Sequence, residues 1–330
     1  MSTYEKYYVP EQSRFPIYAA TSLFILVMGA ASTINALGQP DSMAKYILYA
    51  GLVSFGATLF FWFRKVAQEH LAGLDSAQLN QSFVYGMAWF IFSEVMFFAA
   101  FFGALFYVRT FSVPWLGGEG EKGLAGELLW PEFEAAWPPM ITPDQAINST
   151  TNIPVGIKSI FPESYEVIPG TGVDIVKGPD ENMYLHGFDK VFSWLPLWNT
   201  IVLLSSSATV HFAHIALKEN NRKRFNFWLG ITVTLAFIFV ILQAFEYYEA
   251  YGHLGLKLSS GVYGATFFML TGFHGMHVLI GGIFLLTQLT RSTGYKHFTD
   301  KEHFGFEAAS WYWHFVDVVW VCLFLFVYIL

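Results

Sequence analysis

The sequence has little charge and almost no cysteine. Only 13% of its 330 residues are Asp, Glu, Lys or Arg, whereas a soluble domain carries about 25%. Because Cys322 is the single cysteine, disulfide frameworks and metal sites built from several thiolates of this chain are excluded. Hydrophobic residues make up 54% of the chain and aromatic residues 19%. This composition indicates a polytopic membrane protein.

Apolar runs long enough to cross a bilayer recur seven times. A spanning helix needs about 20 apolar residues, whereas barrel strands alternate over about ten. The runs lie at Pro16–Ala36, Tyr46–Phe63, Tyr85–Val108, Val191–Leu217, Phe227–Tyr247, Val262–Thr287 and Ala308–Leu330. The sequence therefore predicts an all-α membrane protein with seven transmembrane helices. The first 15 residues lack a basic start and a small-residue cleavage site, so we expect the first span to be retained.

Basic residues are divided unequally between the two sides of the predicted bundle. The N-terminus and the loops on its side contain eleven Lys and Arg residues, whereas the short loops of the other side contain Lys45 and Lys257. Basic loops favour the inner side of a membrane. We therefore expect the N-terminus inside and, with seven spans, the C-terminus outside.

The connection at about 110–190 is far longer than an ordinary loop, and the predicted orientation places it outside. It carries twelve acidic residues between Glu119 and Asp189. A solvated acidic surface and the binding of a basic partner both explain this composition. The aromatic residues of WPEFEAAWPP at 130–139 argue against full disorder.

Glu94 is the only charged residue between Met87 and Tyr107. An ionised carboxylate near the centre of a span costs about 2.5–3.5 kcal/mol on insertion scales. We therefore expect Glu94 to be protonated at neutral pH unless a nearby donor bonds it. The first partner to consider is His277, or His274 on the same helical face.

Three pairs of polar residues lie three positions apart within predicted spans. Residues at this spacing share one face of a helix, so each pair can point to one site. A bare His-x-x-His is a weak metal signal. Metal or haem binding, hydrogen bonding between helices and proton relay therefore all remain open. The pairs are His211 and His214, His274 and His277, and His314 and Asp317.

A second polar cluster closes the fifth predicted span. It consists of Gln243, Glu246, Tyr247, Tyr248 and Glu249. The end of an apolar run is expected at the outer interface, where Tyr rings and carboxylates can be hydrated. We expect this cluster to be a structural cap.

Four long strings resemble subunit III of the haem-copper cytochrome c oxidases. They are YGMAWFIFSEVMFF (85–98), ILQAFEYYEA (241–250), GVYGATFFMLTGFHGMHVLIGGIFL (261–285) and HFGFEAASWYWHFVDVVW (303–320). Weaker matches lie at Phe61–Glu69 and Trp198–Leu217. The resemblance implies seven helices split two plus five around a V-shaped lipid cleft. The corresponding parts are a two-helix segment at 1–84 and a five-helix bundle at 85–330 that carries the outer insert.

The resemblance also implies a function. It implies a non-catalytic core subunit of an aa3-type oxidase, which stabilises subunit I, binds structural phospholipid and supports proton uptake during reduction of oxygen to water. Haem and copper belong to subunits I and II of the family, so we expect no metal, cofactor or catalytic residue in this chain. The polar groups then tie helices together: His274, His277, His314, Asp317, His211 and His214.

Single residues match the family pattern as well. Glu94 matches the buried glutamate that reacts with a hydrophobic carbodiimide. Anionic lipid headgroups suit basic side chains at the inner ends of helices, although membrane orientation alone also explains such residues. The positions that match lipid contacts, the last two more loosely, are Trp62, Arg64, Glu69, Arg291 and His303.

The expected partners are subunits I and II, phospholipid, and cytochrome c or an outer subunit at the acidic insert; no nucleic acid is expected. A second functional class is a quinol-oxidase or nitric-oxide-reductase relative of the same fold. The EYYEA and HFVDVVW strings favour the cytochrome c type over this class. The paired histidines alone would suggest a third class, an independent transporter or haem-binding membrane enzyme. We expect a multi-pass protein of the cell inner membrane, with the mitochondrial inner membrane as the alternative.

Overall fold

The computed structural model describes residues 12–36, 43–74, 76–129, 194–252, 261–294 and 303–330, with a few single positions and one short stretch between these ranges. The regular structure in these ranges is helical, and seven helices are long and apolar enough to cross a membrane. The predicted all-α architecture with seven spans is therefore confirmed. Four of the basic loop residues (6, 257, 296 and 301) and most of the acidic connection lie outside the described residues. The orientation of the termini stays a prediction.

The seven long helices extend beyond most of the predicted apolar runs. They are α1 Phe15–Asn35, α2 Ala44–Leu71, α3 Ala77–Tyr107, α4 Leu195–Lys218, α5 Arg222–Gly252, α6 Gly261–Gly294 and α7 Phe304–Leu323. A π-helical segment, Val108–Ser112, and a last turn, Val113–Leu116, continue α3. A second π-helical segment, Phe324–Ile329, continues α7. A short helix, Leu124–Leu129, lies between α3 and α4 in the chain.

The chain forms two compact units, Met1–Gly86 and Met87–Leu330. In the first unit, α1 and α2 pack as an antiparallel hairpin at two glycines. A Cβ atom on Gly29 would lie 2.5 Å from the backbone nitrogen of Leu48, and one on Gly51 would lie 2.5 Å from Cα of Leu26. The two helices therefore need glycine at both positions, as small residues allow close approach of membrane helices.

The core of the second unit lies among α4, α5, α6 and α7. Trp313 and Trp320 of α7 are fully buried. Their indole N–H groups donate to the hydroxyls of Ser206 and Thr200 on α4, at 2.9 and 3.0 Å. Because hydrocarbon cannot satisfy polar groups, these bonds allow two large indole rings to fill the interior while tying α7 to α4.

One stripe of α3 packs against this core. Residues that recur every three or four positions share a helix face, and most other side chains along this stretch are exposed. The stripe places Glu94 among apolar side chains that face the bundle. Its buried and half-buried members are Met87, Ile91, Glu94, Phe97, Phe98, Phe101, Phe102 and Leu105.

Candidate functional site

Glu94 on α3 is hydrogen-bonded to His277 on α6. Glu94 Oε2 lies 2.9 Å from His277 Nε2, so the partner is the residue that the sequence favours first. The His277 side chain is 7% exposed and that of Glu94 is 21% exposed. The bond therefore lies at the edge of the core, with the imidazole on the inner side and the carboxyl nearer the surface.

Aromatic rings surround the imidazole of His277. The ring of Phe98 meets it edge-on at a centroid distance of 5.0 Å, that of Phe97 lies 6.0 Å away, and that of Tyr312 stacks at 6.4 Å. Rings in these positions exclude water and lower the local dielectric, which strengthens a hydrogen bond and makes an unpaired polar atom costly. These rings therefore stabilise the hydrogen bond between Glu94 and His277.

The other nitrogen of His277 limits where the protons can lie. His277 Nδ1 is 2.6 Å from the carbonyl oxygen of Phe273, and a carbonyl only accepts, so Nδ1 carries a proton. His277 Nε2 then either accepts from a protonated Glu94 or, as part of an imidazolium, donates to an ionised Glu94. In both arrangements the pair holds two protons and carries no net charge. A membrane interior tolerates such a neutral pair far better than a lone carboxylate.

His274 serves a different neighbour. Its ring is fully buried, and its Nε2 lies 3.2 Å from the carbonyl oxygen of Val316 on α7. The rings of Trp320 and Phe239 pack against it at centroid distances of 5.1 and 5.7 Å. His274 therefore ties α6 to α7, whereas His277 ties α6 to α3.

A second buried acid, Glu246 on α5, lies inside the bundle. It is 4% exposed, and its carboxyl accepts from the Tyr328 hydroxyl at 2.8 Å and from Asn199 Nδ2 at 3.3 Å. The next residue, Tyr247, shares a 2.6 Å hydrogen bond with the hydroxyl of Thr271 on α6. The prediction of a hydrated interfacial cap is therefore wrong for Glu246, because α4 and α7 cover this end of α5.

His314 and Asp317 on α7 face Ser207 on α4. His314 Nδ1 lies 2.9 Å from the Ser207 hydroxyl oxygen and 3.6 Å from Asp317 Oδ2. The Asp317 side chain is 6% exposed, whereas that of His314 is 42% exposed. The structure thus brings this predicted pair together, with the acid inside and the imidazole at the surface of the bundle.

His214 lies beside His303 and Glu307 rather than beside His211. Glu307 Oε1 is 3.4 Å from His214 Nε2 and 3.2 Å from His303 Nε2. The three ligand atoms lie within 4.8 Å of one another and could hold a metal ion, since zinc accepts imidazole and carboxylate ligands. His211 is exposed, and its ring lies 6.4 Å from that of Phe212. Among the described residues, this cluster is the one whose geometry could hold a metal ion, and the His-x-x-His spacing did not indicate it.

Three residues matched to lipid contacts lie near the end of α2. Trp62 stacks on Phe15 of α1 with centroids 6.0 Å apart. Arg64 is exposed, and Glu69 lies 3.9 Å from Nζ of Lys65. This part of the hairpin therefore combines apolar rings with cationic groups at its surface.

The other two matched residues are engaged within the second unit. The guanidinium of Arg291 lies 4.8 Å from the ring centroid of Phe298 and donates to the side-chain oxygen of Gln288 at 3.1 Å. His303 precedes the first residue of α7 and lies beside Glu307. Arg291 is half-buried and the His303 side chain only 10% exposed, so both are less open to a ligand than Arg64.

The fold and these sites define a polytopic helical membrane protein with a neutral carboxyl–imidazole pair in its larger unit. A family model, cytochrome c oxidase subunit III, matches residues 5–120 and 186–330. Cytochrome c oxidase subunit 3 of Oryctolagus cuniculus, of Squalus acanthias and of Latimeria chalumnae is 35%, 35% and 36% identical to the chain over 323 residues. These alignments cover 98% of this chain and 96% of each relative. The chain therefore belongs to the cytochrome c oxidase subunit III family.

Membership in this family makes the chain part of a multi-subunit respiratory oxidase in a membrane. The residues between the two matched ranges, 121–185, fall within the acidic connection. Family membership therefore carries no information about what this connection does.

Proposed function

We propose that the chain is a non-catalytic core subunit of an aa3-type cytochrome c oxidase. In this function it stabilises subunit I, binds structural phospholipid and supports proton uptake while oxygen is reduced to water. Haem and copper belong to subunits I and II in this proposal, and the chain binds neither. A long insert and basic inner loops suit a bacterial protein, so the membrane would be the cell inner membrane. The alternative is the mitochondrial inner membrane.

The Glu94–His277 pair is the observation that carries this proposal. A proton that moves across the 2.9 Å between Oε2 and Nε2 redistributes charge without changing the net charge of the pair. Such a group can remain inside a membrane in either protonation arrangement. This property suits a subunit that supports proton chemistry in its neighbour and performs no redox step itself.

The end of α2 supports the phospholipid part of the proposal. Arg64 is exposed and the Lys65 side chain is 60% exposed, so cationic groups are open to an anionic headgroup. The stacked rings of Trp62 and Phe15 offer apolar surface on the same hairpin. Aromatic rings beside basic groups are typical of the level where headgroups meet acyl chains.

The test is Glu94→Gln in the intact oxidase, with the exposed Glu119→Gln as the control. Because glutamine keeps a hydrogen bond to His277 Nε2 but cannot release a proton, we expect normal assembly and initial rate. We expect activity to decay faster during sustained turnover, and lipid content to stay unchanged. If assembly, lipid content and sustained turnover all match the control, the carboxyl only holds helices together and the proton-uptake part is wrong.

Purification of the chain together with its partner subunits tests the class of oxidase. A two-copper, cytochrome c-binding subunit among the partners supports the cytochrome c type over a quinol oxidase.

For the acidic insert, we propose contact with cytochrome c or an outer subunit, because it contains twelve acidic residues. If deletion of the insert leaves the salt-dependent kinetics and the integrity of the complex unchanged, the proposed contact is wrong.

A stoichiometric haem absorption band in the isolated chain would overturn the non-catalytic assignment.

A further inference from the structure

We propose that one face of the second unit binds a transmembrane helix of another oxidase subunit, and that His314 Nε2 forms a hydrogen bond with a hydroxyl of that helix. The α4–α7 face consists of Leu204, Ala208, His211, His314 and Val318. The inference deepens the proposed function, because it rests on the chain being assembled into the oxidase.

His314 lies at the depth of the hydrocarbon core. Its bonded partner, Ser207, is about 15 Å or more from both ends of α4 at 1.5 Å per residue, and the hydrocarbon layer is about 30 Å thick. The His314 side chain is nevertheless 42% exposed. Lipid tails offer no hydrogen-bonding group at this depth, so an exposed imidazole there requires a partner from protein.

A buried acid without a hydrogen bond lies directly behind His314. Within the described part of the chain, neither carboxyl oxygen of Asp317 has a hydrogen-bond partner, although the side chain is 6% exposed. The 3.6 Å from Asp317 Oδ2 to His314 Nδ1 exceeds the length of a hydrogen bond. The cluster is therefore incomplete in the isolated chain, and a small movement of the imidazole would complete it.

The protonation of His314 determines the chemistry of the partner. An imidazolium that compensates Asp317 carries a proton on Nε2. A neutral ring that accepts from the Ser207 hydroxyl on Nδ1 also carries its proton on Nε2. In both arrangements an N–H group points away from Asp317 and Ser207. A neutral ring that instead donates from Nδ1 to Ser207 leaves Nε2 as an acceptor. The partner therefore presents a hydroxyl, which can either accept from or donate to Nε2.

The shape of the α4–α7 face suits a helix. Leu204, Ala208 and His211 are exposed at helical spacing on α4, and Val318 is 63% exposed one turn beyond His314 on α7. A small side chain such as Ala208 lets a neighbouring backbone approach closely, as at other helix interfaces in membranes. The α4–α7 face thus combines a position where a neighbouring backbone can approach closely with the unpaired Nε2 of His314.

Photo-crosslinking in the intact oxidase tests this interface. A p-benzoylphenylalanine at Leu204 or Val318 replaces an exposed side chain, so folding of the chain is preserved and Ala208 still allows close approach of the partner. The control position is Ile238 on α5, which is 39% exposed at a similar distance along its helix. We expect the crosslinker at Leu204 or Val318 to react with another oxidase subunit and the one at Ile238 not to reach that subunit.

His314→Leu tests the hydrogen bond, with Val321→Leu as the matched exposed control. An interhelical hydrogen bond in a membrane contributes modestly, so we expect roughly a threefold loss of partner retained after detergent washing. Retention equal to the control would overturn the role of His314. Crosslinks only within the chain, between two copies of it or to no protein would overturn the interface. Absence of the chain from purified oxidase would instead contradict the proposed function.

Discussion

Tyr328, in the π-helical segment that continues α7, donates a 2.8 Å hydrogen bond to Glu246 on α5. Both side chains are buried, and Asn199 on α4 donates to the second carboxyl oxygen of Glu246. Three helices therefore meet at one carboxyl group. Because hydrocarbon satisfies none of these atoms, the bond fixes the last turns of α7 against the bundle.

Tyr328→Phe is expected to destabilise the second unit by about 1–3 kcal/mol, because a buried carboxyl oxygen loses its donor. The measurement is the midpoint of thermal denaturation of the purified oxidase in detergent. Tyr107→Phe, at a half-exposed position of α3, removes the same hydroxyl without leaving a buried orphan. Equal midpoints for the two variants would show that the Tyr328–Glu246 bond contributes nothing measurable.

Of the two proton arrangements that the Glu94–His277 bond allows, we predict the one without charges, in which the Glu94 carboxyl donates to His277 Nε2, because a membrane interior disfavours charged groups. The infrared spectrum of the wild type should then contain a protonated-carboxyl band that Glu94→Gln removes. His277→Phe should shift this band to the frequency of a carboxyl with a weaker hydrogen bond. A spectrum of Glu94→Gln that retains every carboxyl band would instead indicate the ion-pair arrangement.

The seven helices were predictable because a bilayer imposes a minimum apolar length on each span. Their ends were less predictable. The second span was expected to end at Phe63, but α2 continues through Arg64 and Lys65 to Leu71. Hydropathy marks the apolar part of a helix, whereas charged residues beyond it can keep helical hydrogen bonds at the membrane surface.

The site was predictable where a charge stood alone in an apolar span, as Glu94 does. Glu246 was missed because its polar neighbours made the end of the fifth span look hydrated. A signal was present: Phe239, Gln243, Glu246 and Ala250 recur every three or four residues and are all buried. The acid therefore lies on the face of α5 that α4 and α7 cover, and the structure identifies its partners on those helices as Asn199 and Tyr328.

Gly281→Ala is expected to destabilise the second unit, whereas Gly282→Ala is not. A Cβ on Gly281 would lie 2.9 Å from the Trp313 ring, whereas one on Gly282 would meet Ala236 at an ordinary 3.5 Å. Overpacking a dense core costs about 1–3 kcal/mol, and both variants gain the same helix propensity, about 1 kcal/mol. The checking measurement is the yield and thermal midpoint of the assembled complex. A Gly281→Ala variant as stable as Gly282→Ala would mean that the Trp313 ring can move aside.

The hairpin of the first unit should depend on Gly29 more than on any exposed glycine of the same helices. A Cβ on Gly29 would overlap the backbone of Leu48, which cannot rotate away as a side chain can, so Gly29→Ala has to separate α1 from α2. Gly56→Ala on α2 is the control, since an added Cβ there meets nothing within 4 Å. We expect Gly29→Ala to increase the rate at which added protease cuts the first unit in the intact oxidase, and Gly56→Ala to leave that rate unchanged or lower it. Equal cleavage rates would show that the hairpin can widen without losing its packing.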